Sequence, residues 1–317
     1  MEGDLPVRDS SEPEKPRSRA SKILERTGVG LGLAGAVTVL LWVAHATQSS
    51  SLVLGIGALL AWLSAGEAAR LVDRILAKAN VDPAPGGPDA ESESGSLARV
   101  PLLGAAVLTT AVLAVVRHNE LAFFGGPAAD ESWRALALYG LVQMSALAAA
   151  MLFSRRPWRG LIFGAALWSV PPLVSLVLVW DSLGALGLVS LVVLSKFGDV
   201  TGYYGGNAFG RTHPFPKLSP GKTTEGCTAS LVGSIFMAWF LTVLGLLELE
   251  VLPALALGAA LNLAAQAGDL LESWFKRRAG IKDSGTLFGP SGGALDVVDS
   301  LLLTVPTLLI LAPLLFG

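Results

Sequence analysis

Near its end the chain carries acidic and basic side chains at spacings that suit metal and phosphate chemistry. Asp269, Glu272 and Lys276 follow one another at i, i+3 and i+7, which places them on one face of a helix. Asp296 and Asp299 are again three residues apart and follow a Gly-Gly pair. Carboxylate oxygens are the ligands that Mg²⁺ prefers, and a lysine holds phosphate as a point charge. The pattern predicts metal-assisted phosphoryl or nucleotidyl transfer.

Most of these side chains also have a simpler structural explanation. Glu272 and Lys276 can form a surface ion pair at i, i+4, and Asp299 can be an ordinary acidic residue at a helix start. Asp269 is different, because it follows a long uncharged run and lies at or just inside the edge of an apolar segment. A carboxylate is costly there. We therefore predict Asp269 and Asp296 as ligands of Mg²⁺, with Asp299 as a further candidate.

A second polar block, "SKFGDVTGYYGGNAFGRTHPFPKLSPGKTTEG", occupies residues 195–226. Asp199 stands near its start, and the glycines that follow would let the backbone approach a ligand closely, although a flexible linker is the alternative. Lys222 lies in a Gly-Lys-Thr run typical of a P-loop, but Pro216 occupies the position of the required first glycine. We exclude a Walker A motif. The lysine and the adjacent hydroxyls can still hold phosphate.

The segments that must position these blocks are strongly apolar. Of 317 residues, 52% are hydrophobic and only 15% are charged, whereas soluble domains average about 25% charged. The apolar residues form long runs rather than stripes, which indicates a membrane protein. Nine windows are long enough to span a bilayer: 27–47, 51–70, 100–117, 134–153, 160–180, 183–201, 228–247, 251–272 and 298–316. Pro171 and Pro172 should break the fifth window.

The distribution of Lys and Arg predicts the topology. If the N-terminus is cytoplasmic, 21 of the 23 Lys and Arg residues fall in cytoplasmic segments, and only Arg117 and Arg134 lie outside. The sequence thus predicts an all-α polytopic membrane protein with about nine transmembrane helices, a cytoplasmic N-terminus and an external C-terminus. Both polar blocks then lie on the cytoplasmic side, where they can meet.

Changes of composition divide the chain into four parts. We predict a disordered cytoplasmic tail at 1–24, a two-helix membrane section at 25–78, a flexible linker at 79–98 and a seven-helix catalytic domain at 99–317. A net charge of −2 and the lack of a basic motif argue against a nucleic-acid partner. One cysteine, Cys227, excludes a disulfide framework. With three scattered histidines, a metal site would have to rest on carboxylates.

Together the two blocks resemble the CDP-diacylglycerol synthase (phosphatidate cytidylyltransferase) family. The later block matches the family's pattern at Ser273, Lys276, Arg277, Lys282, Asp283, Gly292, Gly293, Asp296 and Asp299. The earlier block matches it at Asp199, Tyr203, Gly206, Phe209, Gly210, Ser219, Pro220, Lys222, Thr223, Glu225 and Gly226. The chain departs from the pattern at Ser291, where the family has His, and at Val297, where it has Arg. These changes remove a titratable donor and a phosphate clamp.

The resemblance implies that a cytidylyl group passes from CTP to phosphatidic acid, giving CDP-diacylglycerol and pyrophosphate in phospholipid biosynthesis. One or two Mg²⁺ ions are implied, held by Asp269, Asp296 and Asp299. Catalytic roles fall to Asp269, Asp296, Lys222 and Lys276, and ligand binding to Ser219, Thr223, Arg277, Lys282, Asp199 and Tyr203. The expected location is a bacterial inner (cytoplasmic) membrane, with the active site facing the cytoplasm and the acyl chains entering from the membrane lipid.

Three alternatives stay open from the sequence. A polytopic anion transporter would also explain charge inside the membrane and a proline-broken span. A CTP-dependent enzyme acting on another lipid phosphate would use the same residues. The substitutions at Ser291 and Val297 also suit a catalytically inactive relative. The oligomeric state is open as well, with a homodimer as one candidate.

Overall fold

The computed structural model describes residues 28, 32, 35–40, 42–47, 49–79, 129–153, 157–289 and 292–316. All regular secondary structure within these residues is helical, so the all-α prediction is confirmed. The main helices are α1 (Ser50–Lys78), α2 (Ala129–Phe153), α3 (Pro157–Ser169), α4 (Pro171–Val174), α5 (Leu176–Phe209), α6 (Thr224–Val243), α7 (Val251–Ala279), α8 (Ala294–Val298) and α9 (Leu301–Leu315). The predicted tail at 1–24 and nearly all of the predicted linker at 79–98 lie outside the described residues.

Five helical stretches in the described part of the chain are long and apolar enough to cross a membrane. They are Ser50–Lys78, Gly164–Phe209, Thr224–Val243, Val251–Ala279 and Ala294–Leu315. These stretches overlap six of the nine predicted windows, and the window at 134–153 coincides with α2. The chain is therefore an integral, polytopic membrane protein. The count of nine stays a prediction, because the window at 100–117 lies outside the described residues.

The helices break where the sequence predicts a break and at one further glycine. Helix α3 ends at Ser169, and the short α4 begins at Pro171 after the single residue Val170. Proline lacks an N–H and clashes with the preceding turn, which explains the interruption. Inside α5, Gly184 adopts φ 66° and ψ −167° and separates two helical segments. This break falls at the second residue of the predicted window 183–201, close to the boundary with the window 160–180.

Small and polar residues bring α5, α6 and α7 into close contact. A Cβ atom at Gly258 of α7 would lie 2.8 Å from the Ser234 carbonyl oxygen of α6. Beside this crossing, the Asn262 amide donates to Ser230 Oγ at 2.8 Å and to Ser234 Oγ at 2.9 Å. Ser234 Oγ in turn donates to the Leu194 carbonyl of α5 at 3.1 Å. Small residues and interhelical hydrogen bonds are the usual means of packing helices in a membrane.

Helix α1 shares the hydrophobic core of the later helices. Its Ala61, Ala65 and Leu71 are buried in the same cluster as Leu257 of α7 and Leu302 of α9. It packs against α3, α5, α7 and the short α8. The α1 part of the predicted section 25–78 thus packs against the body of the molecule.

Candidate active site

Three carboxylates from α7 and from the junction of α8 and α9 converge on one point. One oxygen from each of Asp269, Glu272 and Asp299 lies within 4.8 Å of the others. Asp269 and Glu272 share one face of α7, as their i, i+3 spacing predicts. Asp299 ends α8 just before α9 begins. We call these three residues the carboxylate cluster.

The approach of α7 to Asp299 depends on a glycine. A Cβ atom at Gly268 would lie 2.6 Å from the Asp299 carbonyl oxygen, which is closer than real Cβ contacts allow. Any side chain at position 268 would therefore push the two segments apart. Gly268 thus brings the neighbouring Asp269 within reach of Asp299.

Glu272 is the most buried member of the cluster. It is 1% exposed, and its Oε2 atom accepts a hydrogen bond from Lys276 Nζ at 2.6 Å. The other oxygen, Oε1, has no hydrogen-bond partner among the described residues. A buried carboxylate oxygen without a partner is costly, and a bound cation would remove that cost. The donor set and the unpartnered oxygen together fit a hard divalent ion such as Mg²⁺.

Two lysines from the earlier polar block reach the cluster. Lys222 Nζ lies 2.7 Å from Asp269 Oδ2. Lys196 Nζ lies 3.5 Å from Asp299 Oδ1 and also 3.5 Å from Asp199 Oδ2. The structure therefore brings the two polar blocks together, as the topology argument expects. Cations that flank metal-binding carboxylates are suited to holding the phosphates of a bound anion.

Asp296 lies next to the cluster but is already engaged with protein groups. Its Oδ1 atom accepts from Lys276 Nζ at 2.7 Å. Its Oδ2 atom accepts from the backbone N–H groups of Ser284 and Gly293 at 2.8 and 2.7 Å. Asp296 is thus joined to Glu272 through the shared Lys276. The structure does not bring the Asp296 carboxylate into the cluster with Asp269.

The other predicted ligand-binding residues lie on α5, in the loop before α6 and near the end of α7. Thr223 caps α6, its Oγ1 accepting from the Gly226 N–H at 3.0 Å. Arg277 donates through Nε to the Leu218 carbonyl at 3.1 Å and so ties the 210–223 loop to α7. The remaining three are Ser219, half-buried in that loop, Lys282, exposed after α7, and Tyr203, exposed on α5.

Comparison with known proteins assigns the family. The model of the cytidylyltransferase family matches residues 89–315, which include every residue of the carboxylate cluster and both flanking lysines. The chain belongs to the cytidylyltransferase family. Most of the matched range is helical in the structure, and the family assignment agrees with the resemblance seen in the two polar blocks.

Individual relatives of this cytidylyltransferase-family chain match over different lengths. It is 31% identical over 220 residues to a phosphatidate cytidylyltransferase of Pseudomonas aeruginosa, covering 67% of this chain and 70% of the relative. It is 38% identical over 124 residues to a phosphatidate cytidylyltransferase of Helicobacter pylori, covering 39% of this chain and 46% of the relative. An uncharacterized Escherichia coli protein, YnbB, is 38% identical over 123 residues, which are 39% and 41% of the two chains. The latter two matches thus span less than half of each relative.

Two residues of this cytidylyltransferase-family site do not stand out in the sequence. In the sequence, Lys196 is only one of the basic residues that predict the topology. In the structure, it pairs with Asp299. Glu67 of α1 lies far away in the sequence, yet it accepts hydrogen bonds from the start of α8. An acidic residue inside an apolar window is the available signal for Glu67. Of the two departures from the family pattern, Val297 is half-buried in α8, and Ser291 lies outside the described residues.

Proposed function

We propose that this chain is a phosphatidate cytidylyltransferase, which converts CTP and phosphatidic acid to CDP-diacylglycerol and pyrophosphate. The carboxylate cluster flanked by Lys222 and Lys196 is the observation that carries the proposal, because it suits the joining of two anions. The names of the P. aeruginosa and H. pylori relatives support the choice of substrates. A polytopic helical body suits an enzyme whose substrate and product are lipids.

In this proposal Asp269, Glu272 and Asp299 hold one Mg²⁺ ion. When bound, the ion would neutralise charge on the phosphates of CTP and on the departing pyrophosphate. Glu272 is included among the proposed ligands because its buried Oε1 atom has no hydrogen-bond partner within the part of the chain that the structure describes. Asp296 takes a supporting part, since Lys276 is held between Asp296 and Glu272 at 2.7 and 2.6 Å. A second ion bound through Asp296 would require Lys276 to move.

The lysines are proposed to orient the two substrates. Lys222 and Lys196 bind phosphate oxygens, so that the phosphate of the lipid faces the α-phosphorus of CTP. An oxygen of the lipid phosphate forms the new P–O bond, and the bond from that phosphorus to the bridging α–β oxygen breaks. Pyrophosphate leaves with the electron pair. No strong base is needed, because a phosphate monoester is already ionised near neutral pH. Catalysis then rests on positioning and charge.

The proposed location is the inner membrane of a bacterium, with the cluster on the cytoplasmic side. The support is the positive-inside rule, which assigns the basic end of α7 and the loop containing Lys222 to the cytoplasm. The lipid phosphate would meet CTP at that membrane face, and the acyl chains would stay in the cytoplasmic leaflet. The homodimer stays a prediction.

A reconstituted assay tests the proposal. Purified protein in lipid nanodiscs receives Mg²⁺, radiolabelled CTP and phosphatidic acid, and both CDP-lipid and pyrophosphate are measured. We expect equal amounts of the two products and none after chelation of Mg²⁺. The Asp269→Asn variant is expected to form neither, whereas Glu250→Gln, at the exposed opposite end of the same helix, should match the wild type.

Each alternative predicts a different result, either in this assay or with the protein reconstituted into sealed vesicles. A polyprenyl phosphate and an isoprenoid ether lipid phosphate replace phosphatidic acid in parallel reactions, and a preference for either would reassign the lipid. If the wild-type protein releases no pyrophosphate with any of these lipids, the result would support a catalytically inactive relative. Flux of an anion into sealed vesicles without consumption of CTP would support a transporter.

A further inference from the structure

Glu67 places a buried carboxylate at the start of the helix that carries Asp296. The residue belongs to α1 and is 4% exposed. Its Oε1 atom accepts a hydrogen bond from the Ala294 N–H at 3.0 Å, and its Oε2 atom accepts from the Leu295 N–H at 2.8 Å. These are the first two amides of α8, which have no partner within their own helix. A carboxylate from another part of the chain thus caps α8.

The loop before α8 is built around the same carboxylate. Ser284 Oγ lies 2.8 Å from Glu67 Oε2 and 2.7 Å from Asp296 Oδ2, so that its single proton is shared between the two acids. A Cβ atom at Gly285 would lie 2.5 Å from Glu67 Oε1, and one at Gly293 would also collide with this carboxylate. Both glycines therefore leave the space that Glu67 occupies.

A chain of contacts links Glu67 to the carboxylate cluster. Glu67 fixes Ser284 and the start of α8, and these groups fix Asp296. Asp296 holds Lys276, and Lys276 holds Glu272 of the cluster. Every contact in this series is a hydrogen bond of 2.6 to 3.0 Å. Glu67 itself lies outside the range matched by the family model, which begins at residue 89.

We propose that Glu67 is a positioning residue for the reaction, which sets the place of Asp296 and, through Lys276, the orientation of Glu272. On this view α1 is part of the active-site support as well as a membrane anchor. The kinetic consequences rest on the proposed function. The positioning of α8 by Glu67 can be measured without any activity.

The Glu67→Gln variant tests the role with a side chain of nearly the same shape. Glutamine has one acceptor oxygen, and its NH₂ group would face a backbone N–H, so one of the two α8 amides loses its partner. We expect kcat to fall about 10- to 100-fold and the Mg²⁺ concentration for half-maximal activity to rise by no more than about tenfold, because Glu67 acts on the proposed metal ligands only through Asp296 and Lys276. The KM for CTP should change less than kcat. Glu67→Asp keeps the charge and should recover part of the loss.

Hydrogen–deuterium exchange of the nanodisc-embedded protein gives the readout that does not need activity. Glu67→Gln should speed exchange in peptides that cover 284–298 and leave α6 unchanged. Two matched controls lie on α1. Arg70→Gln removes the half-exposed partner that lies 3.7 Å from Glu67, and Ser64→Ala removes a buried hydroxyl that has no hydrogen-bond partner among the described residues. Both controls should behave as the wild type.

Several results would overturn the proposal. Wild-type exchange and kcat in Glu67→Gln would remove the positioning role, and so would faster exchange throughout α1, α6 and α7, which would indicate a general structural role. If Glu67→Gln cannot be purified, Ser284→Ala interrupts the same series of contacts and should give the same local increase in exchange; normal exchange there would contradict the idea. A wild-type protein that forms no CDP-lipid would reject the proposed function, and the exchange experiment would still test Glu67.

Discussion

Lys222 and Asp269 form an ion pair with 2.7 Å between Nζ and Oδ2, although they belong to different polar blocks of the sequence. The lysine also approaches the Gln266 carbonyl at 3.4 Å, one turn before Asp269 on α7. This pair fixes the loop before α6 against the face of α7 that carries Asp269 and Glu272. It joins a cation suited to phosphate with a carboxylate suited to Mg²⁺.

The carboxylate cluster makes a prediction that separates Asp299 from Asp296. Asp299→Asn should lower kcat by about 100-fold or more, because it removes a proposed ligand of the Mg²⁺ ion, which would stabilise the transition state. It should also weaken Mn²⁺ binding, which can be followed by electron paramagnetic resonance. Asp296→Asn should lower kcat but keep Mn²⁺ binding within about tenfold of the wild type. Stronger loss of Mn²⁺ from Asp296→Asn than from Asp299→Asn would favour Asp296 as the ligand, as the sequence alone predicts.

Lys222 is expected to act on phosphate rather than on folding. Lys222→Met should lower kcat/KM for CTP by about 10- to 100-fold, because a desolvated charge–phosphate contact is lost. Lys217→Met is the matched control, since Lys217 is an exposed lysine in the same loop. Steady-state kinetics at two salt concentrations checks both variants. Equal effects of the two substitutions would show a general effect of loop charge instead.

Lys196 pairs with Asp299 and is therefore expected to compete with the proposed metal ion for this carboxylate. In Lys196→Met the half-saturating Mg²⁺ concentration should fall by about two- to fivefold, the range for a partly exposed ion pair. The KM for CTP should rise in the same variant, because a phosphate-binding cation is lost. Titration of the initial rate with Mg²⁺ and then with CTP measures the two effects. A higher Mg²⁺ requirement would contradict the proposed competition.

Gly268 sets the distance between α7 and Asp299. Gly268→Ala should lower kcat by at least about tenfold, because the new Cβ would meet the Asp299 carbonyl oxygen and separate Asp269 from Asp299. Gly55→Ala on α1 is the control, since a Cβ atom added there would have no neighbour within 4 Å among the described residues. Alanine at that position should leave kcat unchanged and raise thermal stability slightly. An unchanged kcat in Gly268→Ala would show that α7 can move away from Asp299 without a loss of catalytic rate.

The Asn262 amide should contribute to stability rather than to chemistry. Asn262→Leu removes its hydrogen bonds to Ser230 and Ser234, and we expect it to lower the free energy of unfolding by about 1–3 kcal/mol. Denaturant unfolding in detergent measures the change. Thr228→Val, which removes an exposed hydroxyl of α6, should have little effect. A similar decrease in the free energy of unfolding in both variants would mean that the buried amide contributes no more to stability than an exposed hydroxyl.

The sequence by itself determined the helical membrane architecture, because long apolar runs leave a chain in a bilayer few other structures. It also located the break at Pro171 and Pro172, since proline acts on the backbone beside it. It placed Asp269 and Glu272 on one face of α7, because that relationship depends only on helix geometry. Each of these features is local in the chain.

The membership of the site was decided by the tertiary structure. The sequence favoured Asp296 over Asp299 as a metal ligand, yet packing turns Asp299 towards Asp269 and leaves Asp296 bonded to Ser284, Gly293 and Lys276. Lys196 and Glu67 reach their partners across helices that are far apart in the chain. Such contacts depend on how α1, α5 and α7 pack against α8 and α9, and no local pattern of residues encodes that arrangement.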